Sequence, residues 1–269
     1  MSVSSRLRRA LGATLVATIA TTLALPAPSA VAHPRRPVPT DRAVAAGVTP
    51  GNADMGWRAT AVSGPVNRVT THATSGVQGI DVSSHQGYVN WQYWWGKGKR
   101  FAYIKATEGL SYRNPYFSSQ YLGSYSVGMI RGAYHFARPS SSSGATQADY
   151  FARSGGAWSR DGRTLPGVLD IEYNPYGRTC YGLSQTQMVA WIKSFTTRYL
   201  YRTGRSAVIY TTYDWWSRCT GNSAAFNKTN RMWVARYAST VGSIPGGRPS
   251  HTFWQYTSSP LDQNRFNGS

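Results

Sequence analysis

Short apolar runs recur along the chain at residues 79–82, 101–106, 129–137, 167–171, 207–212, 232–237 and 252–256. Most are nearly continuous in apolar residues, which predicts strands covered on both faces, as in parallel sheets. Between them lie helical or irregular segments. The clearest helix spans 184–201: Ser184 can cap it, Met188, Trp191, Ile192, Phe195 and Tyr199 repeat at helical spacing, and Gly204 supplies the stop. Weaker helical patterns cover 90–95, 115–124 and 144–152. Strand and helix alternating over about 190 residues predicts an α/β fold, an irregular or incomplete β/α barrel with a single catalytic domain.

The N-terminus follows a different pattern. Arg6, Arg8 and Arg9 precede an apolar stretch from Leu11 to Leu25, and Ala30-Val31-Ala32 fits a small-residue cleavage site. Residues 1–32 therefore read as a secretory signal peptide, and the expected location is extracellular. The apolar stretch ends at Pro26 and is short for a membrane anchor. Residues 33–76 carry Pro34, Pro37, Pro39, Pro50 and Pro65 with little periodicity, and read as a mobile linker or pro-segment. Met55, Trp57 and Val62 leave room for a small packed extension. Residues 77–269 read as the catalytic domain.

Charge narrows the partners. The formal net charge is +19, and losing the leader's three arginines and no acids leaves +16. Such a chain is drawn to anionic surfaces, whether nucleic acid, acidic lipid or bacterial wall polymers, and charge alone does not choose among them. Cys180 and Cys219 are the only cysteines. In an exported protein an even pair suggests a disulfide, here closing a loop of roughly 40 residues worth about 3–4 kcal/mol.

Only 10 of 269 residues are acidic, so their placement is informative. Asp170 and Glu172 stand one residue apart in Gly167-Val168-Leu169-Asp170-Ile171-Glu172, on the same face of a strand. A carboxyl pair at the end of an apolar strand suits glycoside hydrolysis; the plainer alternative is two solvated acids at a surface strand end. Asp81, Glu108 and His135 also fall late in predicted strands, where β/α barrels place catalytic groups. Like-charge repulsion from Asp170 should raise the pKa of Glu172.

Several segments, in order, resemble glycoside hydrolase family 25 lysozymes, particularly the secreted actinobacterial members. They are Gly79-Ile80-Asp81-Val82-Ser83-Ser84-His85-Gln86-Gly87, Tyr103-Ile104-Lys105-Ala106-Thr107-Glu108-Gly109 with Tyr112 and Asn114, Gly132-Ala133-Tyr134-His135-Phe136, and Asp170-Ile171-Glu172. Tyr210, Trp233-Val234-Ala235-Arg236-Tyr237 and Trp254-Gln255-Tyr256 extend the likeness to the C-terminus. The resemblance implies an N-acetylmuramidase that hydrolyses the β-1,4 bond from N-acetylmuramic acid to N-acetylglucosamine in peptidoglycan. It implies Glu172 as general acid, Asp170 assisting the substrate acetamido group, and Asp81 shaping the cleft. It also implies Asp262, Tyr134, Tyr210, Tyr237 and Trp254 as substrate-binding positions. Only Thr257-Ser258-Ser259-Pro260-Leu261 separate Tyr256 from Asp262, a shorter loop than the family's usual one.

Other functions remain in view. A non-catalytic wall-binding protein would keep the aromatic cleft but lack competent acids. A chitinase-like hydrolase would share strand-end acids. A nucleic-acid or membrane binder would rest on charge alone. The expected partner is peptidoglycan, with anionic wall polymers attracted by charge, without nucleic acid or stable membrane anchoring, and the expected state is a monomer. No metal-ligand spacing, phosphate loop or cofactor motif is present. His85 and His135 read as structural, Lys105 and Glu108 as a candidate buried pair, and Asp214 as a turn or helix cap. Trp94, Trp95, Trp215 and Trp216 are candidates for stacking on sugars.

Overall fold

The structure is a computed structural model that describes residues 51, 53–56, 59 and 76–268. The expected signal peptide, and most of the expected linker, lie outside the described residues.

Nine strands form one sheet: β1 (Val77–Val82), β2 (Lys99–Glu108), β3 (Tyr112–Arg113), β4 (Ile130–Phe136), β5 (Val168–Asp170), β6 (Val208–Thr211), β7 (Met232–Ala235), β8 (Phe253–Thr257) and β9 (Gln263–Phe266). Eight of them close a ring in the order β1-β9-β8-β7-β6-β5-β4-β2, with β2 pairing back onto β1. Ring neighbours are parallel except β9, which runs antiparallel to both β8 and β1. β3 hangs on the end of β2 as an antiparallel hairpin. The expected barrel is thus irregular but complete: a β8–β9 hairpin closes it where a regular barrel would place another strand and helix.

Helices α1 (Trp91–Gly96), α2 (Phe117–Ser126), α3 (Gly144–Phe151), α4 (Gln185–Thr203) and α5 (Tyr213–Thr220) pack outside the ring. α4 has the predicted ends. Ser184 Oγ accepts from Gln187 N while Gln187 Oε1 accepts from Ser184 N, and Gly204 closes the helix at φ +68°. Its buried stripe of Met188, Trp191, Ile192, Phe195 and Tyr199 meets α3, where a Cβ on Gly144 would lie 2.3 Å from Trp191 O. Cys180 and Cys219 form a disulfide tying the segment before α4 to the end of α5.

Strand alternation divides the core. Leu169, Ile171 and Ile209 point outward to α4 and α5, whereas Phe101, Tyr103, Val168, Val208, Trp233 and Phe253 fill the barrel. Trp233 lies 4.9 Å from the Tyr103 ring and 5.4 Å from Phe253, centre to centre. This aromatic plug makes a dry floor beneath the strands' C-terminal ends.

Candidate active site

The inward alternation of β5 continues above that floor. Val168 faces in, Leu169 out, Asp170 in and Ile171 out, so Glu172 follows Asp170 into the barrel. β5 itself ends at Asp170, but Ile171 N still donates to Tyr210 O at 3.0 Å and holds the extended path for Glu172. Both acids are fully buried. Among the described residues, neither Asp170 oxygen nor Glu172 Oε2 has a neutral hydrogen-bond donor. The two carboxyls are close enough for the Asp170 charge to act on Glu172.

Asp81, on β1, belongs to a second carboxyl pair. Its Oδ2 accepts from Gln255 Nε2 at 3.0 Å and Asn264 Nδ2 at 2.7 Å, and its amide donates to Asp262 O at 3.3 Å. Gln255 Oε1 in turn accepts from Tyr210 OH at 2.6 Å and Tyr237 OH at 3.1 Å. Asp262, despite its short preceding loop, lies in this network, 3.4 Å from the Tyr237 hydroxyl. Tyr134 is buried close enough to feel the charges of Asp81, Asp170 and Asp262.

The four carboxyls share one electrostatic condition. Burial pushes Asp81 up to about 7, against the lowering pull of Asn264 and Gln255. Burial also raises Asp170 and Asp262 well above the usual range. Glu172 is raised well, first by burial and then by the Asp170 charge. Burial thus favours the neutral form of all four carboxyls, and the neighbouring Asp170 charge adds to it at Glu172. The site therefore presents a protonated carboxyl beside an ionisable one in a water-poor cleft, suited to protonating a leaving oxygen.

Comparison with known proteins decides the family. The family described as glycosyl hydrolases family 25 matches residues 80–264. This chain belongs to it. Lysozyme M1 of Streptomyces globisporus is 50% identical over 272 residues, spanning 96% of this chain and 90% of that protein. That match is long enough to take in residues 51–59. An N,O-diacetylmuramidase of a Chalaropsis species is 55% identical over 66% of this chain and 87% of its own length. The solved bacterial lysozyme of Streptomyces coelicolor superposes with a TM-score of 0.71 and 54% identity, covering 73% of this chain and 94% of that one.

Beside the acids of this family 25 glycoside hydrolase lies a buried ion pair. Lys105 Nζ sits 2.7 Å from Glu108 Oε2, both fully buried, and Tyr176 OH donates to Glu108 Oε1. Residues N-terminal to the barrel meet this pair and the acids. Gly51 N donates to Glu108 Oε2 at 2.9 Å, Lys105 donates to Gly51 O and Ala53 O, and Gly56 N donates to Glu172 Oε1 at 2.8 Å. Asp54 is near enough for its charge to act on all four cleft carboxyls.

Sequence reasoning missed Gln255, Asn264 and the whole Gly51–Gly56 contact. Gln255 could have been found by alternation, since Phe253 two residues earlier faces the barrel; the amides of Gly51 and Gly56 leave no sequence signal.

Other candidates lie elsewhere. Trp254 sits on the face of β8 opposite Gln255, its indole donating to Arg236 O at 2.8 Å. His135 faces outward between Phe151 and Phe195, held by Thr107 and Gln147, and burial lowers it to about 4. His85 is exposed on the turn after β1. Trp215 and Trp216 are completely buried and offer no face to a sugar, a correction to the expected stacking role. Trp94 and Trp95 are half-buried against the core outside β1 and β2, and Arg100 covers the Trp95 ring at 4.1 Å. Asp214 lies in the first turn of α5, whose cap is Thr212. Among the described residues no cluster of three His, Cys, Asp or Glu could hold a metal, and no helix is long and apolar enough to cross a membrane.

Proposed function

We propose that this glycoside hydrolase is a muramidase, cleaving the β-1,4 bond from N-acetylmuramic acid to N-acetylglucosamine in bacterial peptidoglycan. The fully buried Asp170–Glu172 pair, with Glu172 raised well above the usual range by burial and by the Asp170 charge, carries the reading. Glu172 gives its proton to the glycosidic oxygen as the bond to the anomeric carbon breaks. The carbonyl oxygen of the substrate's 2-acetamido group attacks that carbon, and Asp170 accepts from the acetamido N–H and offsets the positive charge of the resulting ring. Glu172, now ionised, takes a proton from the water that opens the ring, giving retention.

The route needs no protein nucleophile. Pairs with a protein nucleophile stand about 5–5.5 Å apart and inverting pairs about 6.5–9.5 Å apart. In this route the substrate's own acetamido group takes the nucleophile's place, with Asp170 beside it as a carboxyl that no protein group among the described residues engages by hydrogen bond. Asp81 and Asp262, tied to Tyr237, Gln255 and Asn264, shape the sugar site with Tyr134 and Tyr210. The relatives' name N,O-diacetylmuramidase brings O-acetylated muramic acid into the proposed substrate class. We place the enzyme outside the cell as a monomer, with the net charge of +16 left after loss of the leader adding salt-sensitive attraction to anionic wall polymers.

The test incubates insoluble peptidoglycan with the full chain and with the same chain cut once between Ala59 and Gly76, Glu172→Gln alongside. New reducing ends are identified by mass spectrometry after borohydride reduction. Reduced muramic acid, falling by about 10²–10⁴ in the variant, is expected for loss of a general acid. Reduced glucosamine ends, or release that survives Glu172→Gln, would overturn the reading.

A further inference from the structure

Gly51, residues 53–56 and Ala59 occupy the place a glycan must enter. Proton transfer requires the glycosidic oxygen within hydrogen-bond reach of Glu172. In this structure Gly56 N–H holds that position at 2.8 Å from Glu172 Oε1. Gly56 has φ +92°, and a Cβ there would lie 2.2 Å from Tyr237 Oη, 2.9 Å from Gln255 Oε1 and 3.3 Å from Tyr210 Oη. The backbone is thus threaded among the groups that line the sugar site, where only glycine fits. Ala53, Met55 and Ala59 are almost wholly buried, and Met55 joins the apolar cluster of Tyr134, Tyr210, Trp233 and Tyr237. At the other end Gly51 and Ala53 present one N–H and two carbonyls to Glu108 and Lys105. An amide offers the same donor and acceptor as an acetamido group, and Gly56 N–H meets Glu172 where a sugar's polar group would, while both Asp170 oxygens are left without a donor among the described residues.

We infer that the cleft binds this chain's own residues 51–59 as an intramolecular inhibitor, and that the enzyme is latent until a protease hydrolyses the chain between Ala59 and Gly76. The inference rests on Glu172 being the catalytic acid. With Asp170 and Glu172 fully buried, a glycan reaches them only after the segment leaves. Tethering makes it a strong competitor, because a linked ligand acts at an effective concentration that reaches millimolar. Cutting the link turns the same contacts into a dilutable peptide. If the cleft is closed nine-tenths of the time or more, the apparent substrate affinity of the uncut chain falls by about tenfold or more.

The experiment compares three full-length chains: one with a specific protease site placed within residues 66–72 and left uncut, the same chain cut and freed of peptide by gel filtration, and uncut Gly56→Val. The valine Cβ collides with Tyr237 and Gln255 and should expel the segment. Two readouts are taken. One is the initial rate on soluble peptidoglycan fragments. The other is carbodiimide coupling of a glycine ester to Asp170 and Glu172, located by peptide mapping, which needs no catalysis. We expect the cut chain and Gly56→Val to hydrolyse at least about tenfold faster than the uncut chain and to label where it does not. Equal rates and equal labelling in all three overturn the inference while leaving the muramidase reading standing. Labelling that rises on cutting without hydrolysis by any form keeps the inhibitor and removes that reading. The cut chain carries the comparison if Gly56→Val does not fold.

Discussion

Asp81→Asn tests whether burial or hydrogen bonding governs the cleft acids. Two donors, Asn264 at 2.7 Å and Gln255 at 3.0 Å, favour the ionised Asp81. Hydrogen bonds to a charged group contribute about 1.5–3 kcal/mol each. Against them stand the several kcal/mol lost in desolvating an ion and the repulsion of Asp54. Burial wins, and Asp81 rises from 3.8 to about 7. At 1.36 kcal/mol per pKa unit, those three units amount to about 4 kcal/mol. The sign is the reverse of the usual carboxylate. Between pH 4 and 7 the folded protein keeps a proton that the unfolded chain has released, so unfolding free energy falls as pH rises through that window and is flat on either side. The amide introduced by Asp81→Asn keeps an acceptor for Asn264 and cannot titrate.

The assay is guanidinium unfolding of wild type and Asp81→Asn from pH 4 to 8, read as a difference. The difference matters because His135, lowered to about 4, gives wild type and variant alike an opposite slope between pH 4 and 6.5. That contribution cancels. The wild type should lose up to about 4 kcal/mol relative to Asp81→Asn between pH 4 and 7. A wild type that instead gains on the variant as pH rises would show Asp81 ionised and held by its donors, and would refute the argument from burial.

Two further pairs of substitutions probe the frame. Cys180→Ala with Cys219→Ala removes a cross-link between residues 39 apart in sequence and should cost about 3–4 kcal/mol in the chain-entropy account, seen by calorimetry as a lower Tm with hydrolysis at 25 °C unchanged; an unchanged Tm would refute that account. Lys105→Met strands Glu108 in the interior and should cost about 3–5 kcal/mol, and adding Glu108→Gln should restore part of it in equilibrium unfolding.

What the sequence revealed follows from what its signals encode. All seven apolar runs are barrel strands, because a parallel strand between a packed barrel and a layer of helices needs apolar residues on both faces. β9 was invisible for the complementary reason. Asn264 turns into the polar cleft to reach Asp81 and Arg265 lies over the rings of Trp254 and Tyr256, so Gln263-Asn264-Arg265 carries no apolar signal. The acids were legible because side-chain direction in an extended chain repeats every two residues, and that placed Asp170 and Glu172 together before any coordinates. Trp215 and Trp216 misled because residue type does not say whether an aromatic ring is exposed. Of residues 51–56 only the apolar Met55 gave a signal, as part of a possible packed extension; the contacts with the acids were illegible because they run mainly through N–H and C=O groups that almost every residue owns.

The same geometry explains which part of the proton-holding chemistry survives opening of the cleft. Burial, the neighbouring Asp170 carboxyl and the Asp54 charge all raise Glu172. Withdrawal of residues 51–59 removes Asp54 and admits water, so burial weakens on all four cleft carboxyls together. It also removes the Gly56 N–H, which had favoured the ionised form of Glu172. Asp170 does not leave. It is fixed two residues away on the same face, above the buried rings of Tyr103, Trp233 and Phe253. An acid that depended on burial alone would lose its proton when substrate space opened. One whose partner carboxyl is built into the strand keeps a raised pKa in the state where the glycan must be protonated.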